Sequence, residues 1–573
     1  REEREERPLA EGFHNEADTD WALSANVTWV HAHVAAQRSH PVIDIPLCLA
    51  GRQVFTEAKA MGEDPSCPGL TNYQYSLASM EQVQEALTCA AADPDGWRTL
   101  PAEERARHLR RVAAQLARHR GDSIALMLRD TGKAVSEADA EFSEAIDFAN
   151  YYAHSILDPA FADGLSATPL GTVVITPPWN FPFAIPCGGI LAALAAGNTV
   201  IFKPAPEAVL TGYHLCRILW EAGIPGRALQ FLPCPDNEIG SSLLTDDRTH
   251  AVILTGAYAT AKLFHSWKPS MNLFAETSGK NSLIITNACD PDQAVKDLVR
   301  SAFGHAGQKC SAASLAIITA ERYDDPAFLR QLRDAAASLH VGPAWDLSAV
   351  VTPVVRAPGD DLLRALTTLD EGESWLLEPR MIDHNPCLWS PGIKLGVRPG
   401  SWYHQTECFG PVLGLMRAPD FATALRWQND SLFGLTAGLH SLDPKEIREW
   451  QQKVEAGNVY LNRSITGAIV QRQPFGGWKS SCIGAGAKAG GPNYVAQFSH
   501  WTESSLPQRR VTPREDLRSL ANECCPQDEW LLSAIENDEY WWRREFSIAH
   551  DPTGLACEKN LFRYRAMPVA VIR

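Results

Sequence analysis

The sequence predicts an α/β fold with parallel sheets. Between residues 171 and 304, apolar runs of strand length alternate with helical segments. This alternation is typical of a doubly wound sheet, because parallel strands need crossover connections. A chain of 573 residues is too long for one hydrophobic core, so we expect two or three domains.

The elements of this region follow one another in chain order. The predicted strands are GTVVIT, NTVIFKP, ALQFLP, AVILTG and SLIIT, which we assign to one sheet. Helices are predicted near Ile185 to Ala196 and up to Gly223. No GxGxxG fingerprint follows a strand, so a dinucleotide would have to bind without that turn.

The flanking regions differ from this pattern. Residues 1–74 show no sustained period, and we predict an arm or linker there. From Met80 to about Ser155 the apolar residues recur at helical spacing. Residues 504–573 are predicted to be a C-terminal extension that packs on the body. The first seven residues, REEREER, have no apolar segment and no initiator Met, so we expect a piece of a longer protein rather than a signal peptide.

Composition excludes several functions. Lys and Arg total 52 against 68 Asp and Glu, a net charge of -16 that disfavours nucleic acid as a partner. The most apolar stretch, Phe181 to Gly197, contains two prolines and is too short to span a bilayer, so we predict no integral membrane protein. The 14 cysteines are scattered without CxxC pairs, which favours a reducing, cytoplasmic location. His31 and His33 lack further ligands nearby, and we predict no metal site.

Three residue types in order suggest thiol-based aldehyde oxidation. Cys310 lies in GHAGQKCSAASLAI, Glu276 in FAETSGKNSLIIT and Asn180 in PPWNFPF. A thiolate adds to an aldehyde, and the resulting oxyanion needs donors such as an amide side chain and a backbone N–H. After hydride leaves to a nicotinamide, a carboxylate must activate the water that cleaves the thioester. We therefore predict Cys310 as nucleophile, Asn180 as oxyanion donor and Glu276 as base.

These motifs, together with FKPAPE, GIPGRALQFLP, ILTGAYATA and ECFGPV, resemble the aldehyde dehydrogenase superfamily over about residues 80–500. Its cofactor domain is a Rossmann variant that lacks the usual fingerprint. The resemblance implies an NAD-binding domain at 75–275 and a catalytic domain at 276–478. It also implies a β-flap, near 156–172 and 479–503, that pairs across a homodimer.

The same resemblance implies NAD as cofactor and assigns its contacts. Lys203 would bind the adenosine ribose, and Glu407 with Phe409 would hold the nicotinamide end. The remaining implied contacts are Trp179, Thr255, Gly256 and Ala257. The acid common three residues after the strand lysine falls one position later here, at Glu207, so the choice between NAD and NADP stays open.

The segment from 462 to 495, with TGAIV, RQPFGG and KAGGPNY, resembles the Δ1-pyrroline-5-carboxylate dehydrogenase group, which oxidises L-glutamate γ-semialdehyde. In that group a loop equivalent to Gly467 and Ala468 presents backbone N–H groups to the substrate carboxylate, helped by Ser311. Such local donors make sense for an anionic group, and glycine lets the backbone approach it closely. Phe181 and Phe475 would enclose the aliphatic stem.

The ends of the chain point to a larger protein. EGFHNEADTDWALSANVTW and HDPTGLACEKNLFRYR resemble segments of bifunctional proline utilisation flavoenzymes, so a proline dehydrogenase fused to or paired with this chain is expected. A stand-alone dehydrogenase with extended termini is the alternative.

Other functions remain open. A coenzyme-A-acylating dehydrogenase would use Cys310 but should lack a base such as Glu276. A dehydrogenase for another semialdehyde and a non-catalytic scaffold are further alternatives.

Overall fold

The computed structural model describes residues 12–157, 165–503, 511–526 and 528–565. Predictions that concern residues 1–11, 158–164, 504–510, 527 and 566–573 lie outside the described residues. Within the described ranges, no helix combines the length and apolar content that crossing a bilayer requires.

The N-terminal part combines short strands with a helical layer. Its elements are α1 Ser24–Arg38, β1 Ile43–Ile45, β2 Leu47–Leu49, β3 Arg52–Val54, β4 Lys59–Glu63, β5 Thr71–Ser76, α2 Met80–Ala92, α3 Ala102–Arg118, α4 Arg120–Thr131 and α5 Val135–Ser155. Strands β1, β5 and β4 form a separate sheet, whereas β2 and β3 extend the edge of the next one. The region that we predicted as an arm therefore contributes two strands to the body.

The first large sheet combines β2 and β3 with strands that come later in the chain. The elements of this part of the chain are β6 Leu165–Pro169, which lies outside the sheet, β7 Thr172–Thr176, α6 Ala184–Ala195, β8 Thr199–Phe202, α7 Val209–Glu221, β9 Leu229–Phe231, α8 Glu238–Thr245, β10 Ala251–Thr255, α9 Tyr258–Trp267 and β11 Leu273–Glu276. Strands β11, β10, β7, β8 and β9 are parallel neighbours in that order. The chain runs outward from β7 to β9 and returns to β10 on the other side of β7. This switch point opens a crevice at the carboxyl ends of β7 and β10, where such sheets bind ligands.

A second sheet has the order β14-β15-β16-β13-β12-β18-β19. The elements of this half are β12 Asn281–Ile285, α10 Pro291–Phe303, β13 Ala313–Thr319, α11 Ala320–Tyr323, α12 Pro326–Ala337, α13 Asp360–Thr367, β14 Ser374–Leu377, β15 Gly392–Leu395, α14 Trp402–Gln405, β16 Val412–Ala418, α15 Phe421–Asn429, β17 Phe433–Gly434, β18 Thr436–His440, α16 Pro444–Lys453, β19 Asn458–Leu461, β20 Trp478–Lys479 and β21 Cys482–Ile483.

The assignment of all five predicted strands to one sheet was wrong for SLIIT. That run lies in β12 of the second sheet, while the short strand β11, which we did not predict, takes the last parallel place in the first. Strand β11 has four residues and alternates between buried and half-buried positions, so it carries little strand signal. The chain crosses between the sheets at residues 277–280.

The remaining elements belong to the C-terminal part of the chain. They are β22 Ser499–Glu503, α17 Glu515–Cys524 and α18 Glu529–Trp541. Strand β22 pairs antiparallel with β6, and the Trp530 indole on α18 donates to Glu503 at 3.1 Å. The division into domains and the pairing of this ribbon across a dimer stay predictions.

Candidate active site

The crossing between the two sheets brings the thiol and the carboxylate together. Strand β11 ends at Glu276, and after four residues β12 begins at Asn281. The Asn281 side chain donates to the carbonyl of Cys310 at 2.6 Å, which ties the loop before β13 to the start of β12. Glu276 is also in register with Thr255 at the end of β10, beside the switch point of the first sheet.

The loop that precedes Cys310 has an unusual backbone. His305 and Ala306 have φ of 52° and 51°, in the left-handed region. Gly307, with φ of 70°, follows them, and a Cβ there would lie 2.2 Å from the carbonyl oxygen of Gly410. Only glycine permits this approach, so the loop packs directly on the segment around residue 410. Strained backbone of this kind is a feature of functional sites.

Asn180 lies against the same loop. Its side-chain nitrogen donates to the carbonyl of Gln308 at 2.8 Å, and its own carbonyl accepts from the Lys133 ammonium at 2.8 Å. Lys133 is buried, pairs with Glu141 at 2.5 Å and lies 3.9 Å from the centre of the Phe181 ring. Hydrogen bonds at its side chain and at its backbone carbonyl thus fix the position of Asn180.

The surroundings of the Cys310 thiol favour its protonated form. Burial raises its pKa to about 12, and the nearby carboxylates of Glu407, Glu276 and Glu144 add to the effect, which the Ser311 N–H partly offsets. A neutral thiol is a weak nucleophile. Reaction at Cys310 therefore requires positive charge or a base to arrive beside it.

Glu276 is held by a backbone N–H group. Its Oε2 accepts from the N–H of Gly477 at 2.9 Å. Burial raises the pKa of this carboxyl, while the Gly477 N–H, the charge of Lys488 and the Cys482 thiol lower it. A carboxylate with a raised pKa in a desolvated site can take a proton at neutral pH.

One cavity of about 780 Å³ contains both groups. Of the residues that the sequence analysis singled out, its walls include Cys310, Glu276, Ser311, Thr255, Phe181, Phe475, Gly467 and Ala468. Glu407 and Phe409 line a small adjoining cavity. The sequence-predicted substrate residues are thereby brought together around the thiol.

The turn at Gly467 is held by a chain of polar contacts. Gly467 has φ of 99°, and a Cβ there would meet no atom within 4 Å. With its amide oriented to satisfy both neighbours, Gln473 donates to the Gly467 carbonyl at 2.6 Å and accepts from Arg463 at 2.7 Å. Arg463 in turn pairs with Glu558 of the C-terminal segment at 2.8 Å. These contacts engage the carbonyl of Gly467 and not its N–H group.

The predicted cofactor residues lie at the carboxyl edge of the first sheet. Lys203 follows β8, and Gly256 and Ala257 lie between β10 and α9. The Lys203 ammonium pairs with Asp236 at 2.6 Å, and the Gly256 N–H donates to the Glu276 carbonyl at 3.1 Å. Lys203 and the start of α9 thus both follow strands of the first sheet at its carboxyl edge, where such sheets bind ligands.

The residues predicted to hold the nicotinamide end are Glu407 and Phe409, and Trp179 is a further predicted cofactor contact. Glu407 accepts from the Gly279 N–H at 2.8 Å, and burial raises its pKa. Phe409 has φ of 59°, and its ring meets the Trp179 ring edge to face at 5.6 Å.

The sequence matches the aldehyde dehydrogenase family over residues 61–503. The chain belongs to this family. The 1-pyrroline-5-carboxylate dehydrogenase of Oceanobacillus iheyensis is 32% identical over 505 residues, which cover 85% of this chain and 97% of that protein. The α/β fold predicted from the sequence is confirmed.

Two solved structures of aldehyde dehydrogenase relatives extend the comparison. Proline Utilization A (PutA) from Corynebacterium freiburgense is 44% identical with a TM-score of 0.85, covering 96% of this chain and 53% of that one. This aldehyde dehydrogenase thus spans about half the length of that PutA chain. A 1-pyrroline-5-carboxylate dehydrogenase from Thermus with bound NAD is 32% identical with a TM-score of 0.81, covering 86% and 98% of the two chains.

The residues along one wall of the cavity were not predicted from the sequence. Glu137, Glu141 and Glu144 of α5 line it, at the i, i+4, i+7 spacing that places side chains on one helix face. Burial, together with Glu141 and Asp147, raises the pKa of Glu144 to about 8. Three acids where a buried helix normally shows apolar residues were the available signal. The described residues contain no group of three or more His, Cys, Asp or Glu arranged to hold a metal ion.

Proposed function

We propose that this chain oxidises L-glutamate γ-semialdehyde, the open form of Δ1-pyrroline-5-carboxylate, to L-glutamate with NAD. One observation carries the proposal: a thiol, a carboxylate and the left-handed Gly467 turn line the same cavity of about 780 Å³. The similarity to proteins named 1-pyrroline-5-carboxylate dehydrogenase, one of them with bound NAD, supports it.

In the proposed reaction the Cys310 thiol releases its proton to solvent, and its sulfur bonds to the aldehyde carbon. The carbonyl oxygen then carries negative charge, and the Cys310 N–H and the Asn180 amide stabilise it. Asn180 has two N–H bonds on its side-chain nitrogen, and one of them donates to Gln308. In this proposal the second binds the oxyanion.

The residues at the edge of the first sheet would hold NAD, with Lys203 and the start of α9 at the adenosine half and Glu407 and Phe409 at the nicotinamide half. When bound, the nicotinamide ring accepts the hydride from the adduct carbon. Glu276 then takes a proton from water, the water oxygen bonds to the thioester carbon and the C–S bond breaks. L-glutamate leaves and the thiol is restored.

The substrate's two charged groups have separate partners in this proposal. The N–H groups of Gly467 and Ala468, with the Ser311 hydroxyl, bind the α-carboxylate. The Glu144 carboxyl faces the cavity without a cation directly bonded to it in the described contacts, and an incoming ammonium group would stabilise its ionised form. Phe181 and Phe475 cover the methylene stem between them.

We further propose that the chain is the dehydrogenase portion of a proline utilisation protein and that it acts with a proline dehydrogenase unit. The extended similarity to PutA supports this. A homodimer joined through the β6–β22 ribbon and a cytoplasmic location are also proposals. The 14 cysteines are all free, as is usual in a reducing compartment.

The test is NADH formation at 340 nm with Δ1-pyrroline-5-carboxylate, propanal and succinic semialdehyde, each with and without coenzyme A. The proposal expects a strong preference for Δ1-pyrroline-5-carboxylate that does not depend on coenzyme A. Equal oxidation of propanal would refute the carboxylate turn. A requirement for coenzyme A would favour the acylating alternative, and NAD binding without any turnover would favour a scaffold.

A further inference from the structure

The peptide group between Gly476 and Gly477 carries a charged partner at each end. Its N–H donates to Glu276 Oε2 at 2.9 Å, and its carbonyl accepts from the Lys488 ammonium at 2.5 Å. An ammonium on the carbonyl and a carboxylate on the N–H polarise one amide in the same direction. Each hydrogen bond therefore strengthens the other.

The two glycines let the peptide group lie between these side chains. A Cβ on Gly476 would lie 3.0 Å from Lys488 Cγ and 3.1 Å from Glu276 Oε1. A Cβ on Gly477 would lie 2.5 Å from Ser481 Cβ. Any larger residue at either position would displace the amide, so the close packing of the lysine, the peptide and the carboxylate depends on both glycines.

Lys488 is held firmly in this position. Besides the Gly476 carbonyl, its ammonium donates to the Gly457 carbonyl at 2.8 Å and to Asn458 Oδ1 at 3.0 Å. Asn458 Oδ1 also accepts from the Gly476 N–H at 3.2 Å. All three donors of the ammonium are thus used, and the charge is fixed beside the peptide that holds Glu276.

The charges around Glu276 are few. The Lys488 ammonium and the Cys482 thiol favour its ionised form, as does the Gly477 N–H. The Cys310 thiol and the Tyr494 hydroxyl face it as neutral groups, and its charge raises the pKa of both. Burial lowers the pKa of Lys488, and Glu276 raises it again. Lys488 is the cation among the groups that act on this carboxyl.

We propose that Lys488 is a positioning residue for the base: through the 476–477 peptide it holds the Glu276 carboxylate in place and ionised. Glu276 is then ready to take a proton from the water that cleaves the Cys310 thioester. The inference rests on the proposed function, in which that water reaction is the last chemical step. Without the ammonium, the buried carboxyl keeps its proton to higher pH and acts as a base only above that pH.

The test compares Lys488→Met, Lys488→Gln and Lys488→Arg with the wild-type enzyme. Stopped-flow NADH formation is followed between pH 5.5 and 9. In the Met and Gln variants we expect a burst of about one NADH per site and then slow turnover, because thioester cleavage becomes rate-limiting. Their acid limb of kcat should move to higher pH by about one unit or more. Lys488→Arg should keep the wild-type acid limb.

Lys479→Met is the matched control. Lys479 lies on the same segment and also binds carbonyl groups, those of Asn429 and Ser431, and we expect wild-type kinetics from its variant. Lys488→Gln keeps two hydrogen-bond donors on a shorter side chain and removes the charge. An unchanged acid limb without a burst in this variant would show that Lys488 merely ties two loops together, and would overturn the inference even if Lys488→Met fails to fold.

Propanal is run beside Δ1-pyrroline-5-carboxylate. Thioester cleavage needs the base whichever acyl group is attached, so the Lys488 effect should appear with any aldehyde that is oxidised. If the wild-type enzyme shows no preference for Δ1-pyrroline-5-carboxylate over propanal, the proposed substrate is refuted. The comparison of the Lys488 variants with the wild-type enzyme would still test the role of Lys488.

Discussion

Replacing Glu144 by glutamine should stabilise the empty enzyme and weaken substrate binding at the same time. Burial and two neighbouring carboxylates raise the pKa of Glu144 from 4.5 to about 8. Between these pH values the unfolded chain has lost this proton and the folded protein has kept it. The free energy of unfolding therefore falls as the pH rises through this interval.

The size of the effect follows from the same values. A tenfold change in proton affinity corresponds to about 1.4 kcal/mol, so the full difference sets an upper limit of about 5 kcal/mol. Glu144 is half-buried and faces the cavity, and solvent there reduces the expected gain for Glu144→Gln to about 1–3 kcal/mol at pH 8. Denaturant unfolding at pH 5 and pH 8 measures it, with exposed Glu103→Gln as control. An equal gain at both pH values would refute the electrostatic reasoning.

The same variant should bind the substrate less well. Removing one member of a desolvated charge pair costs at least about 2 kcal/mol, which corresponds to a rise in KM of about thirtyfold or more for glutamate semialdehyde. Propanal has no amino group, so its KM should not change. A KM for glutamate semialdehyde equal to that of the wild-type enzyme would show that Glu144 does not contact the amino group.

Further variants test the other parts of the site. Cys310→Ala should abolish NADH formation while calorimetry still detects NAD binding, and measurable turnover would remove Cys310 as the nucleophile. Glu276→Gln should give one burst of NADH and then almost none, whereas a full steady-state rate would assign the base elsewhere. Arg463→Met breaks the contacts from Glu558 to Gly467 and should raise KM for glutamate semialdehyde several-fold but not for propanal; equal changes for both would argue against a role in carboxylate binding. Glu407→Gln should speed alkylation of Cys310 by iodoacetamide at pH 8, because the pKa of the thiol falls, and an unchanged rate would mean that burial alone sets that pKa.

The sequence predicted those parts of the molecule that local patterns encode. The five strand runs are short and mostly apolar, four of them contain several β-branched residues, and each is a strand in the structure. Cys310 and Gly467 each lie in a distinctive local sequence. Strand β11 was not predicted because it has only four residues. Their alternating burial arises from contacts with strands that are distant in the sequence. Which sheet a strand joins is decided by such long-range pairing.

Long-range side-chain contacts were equally hidden. Arg463 and Glu558 are 95 positions apart, and no periodicity links them. Lys488 and Glu276 meet through a peptide group whose role depends on the fold of the 476–477 turn. The acids of α5 were visible as a pattern, but only the burial of that helix shows that they face a cavity.

The carboxylates around Cys310 explain how the thiol can stay unreactive until substrate and cofactor bind. Glu407, Glu276 and Glu144 each raise the pKa of the thiol, so the empty site keeps it neutral. Under the proposed function two of these carboxylates meet a positive charge when the site fills: Glu407 meets the nicotinamide cation and Glu144 the substrate ammonium. The Lys488 ammonium already lies behind Glu276 in the empty site. Filling the site therefore offsets part of the carboxylate charge that, together with burial, keeps the proton on sulfur. Because the thiolate is also the form that oxidants attack, coupling its formation to binding limits damage to the resting enzyme.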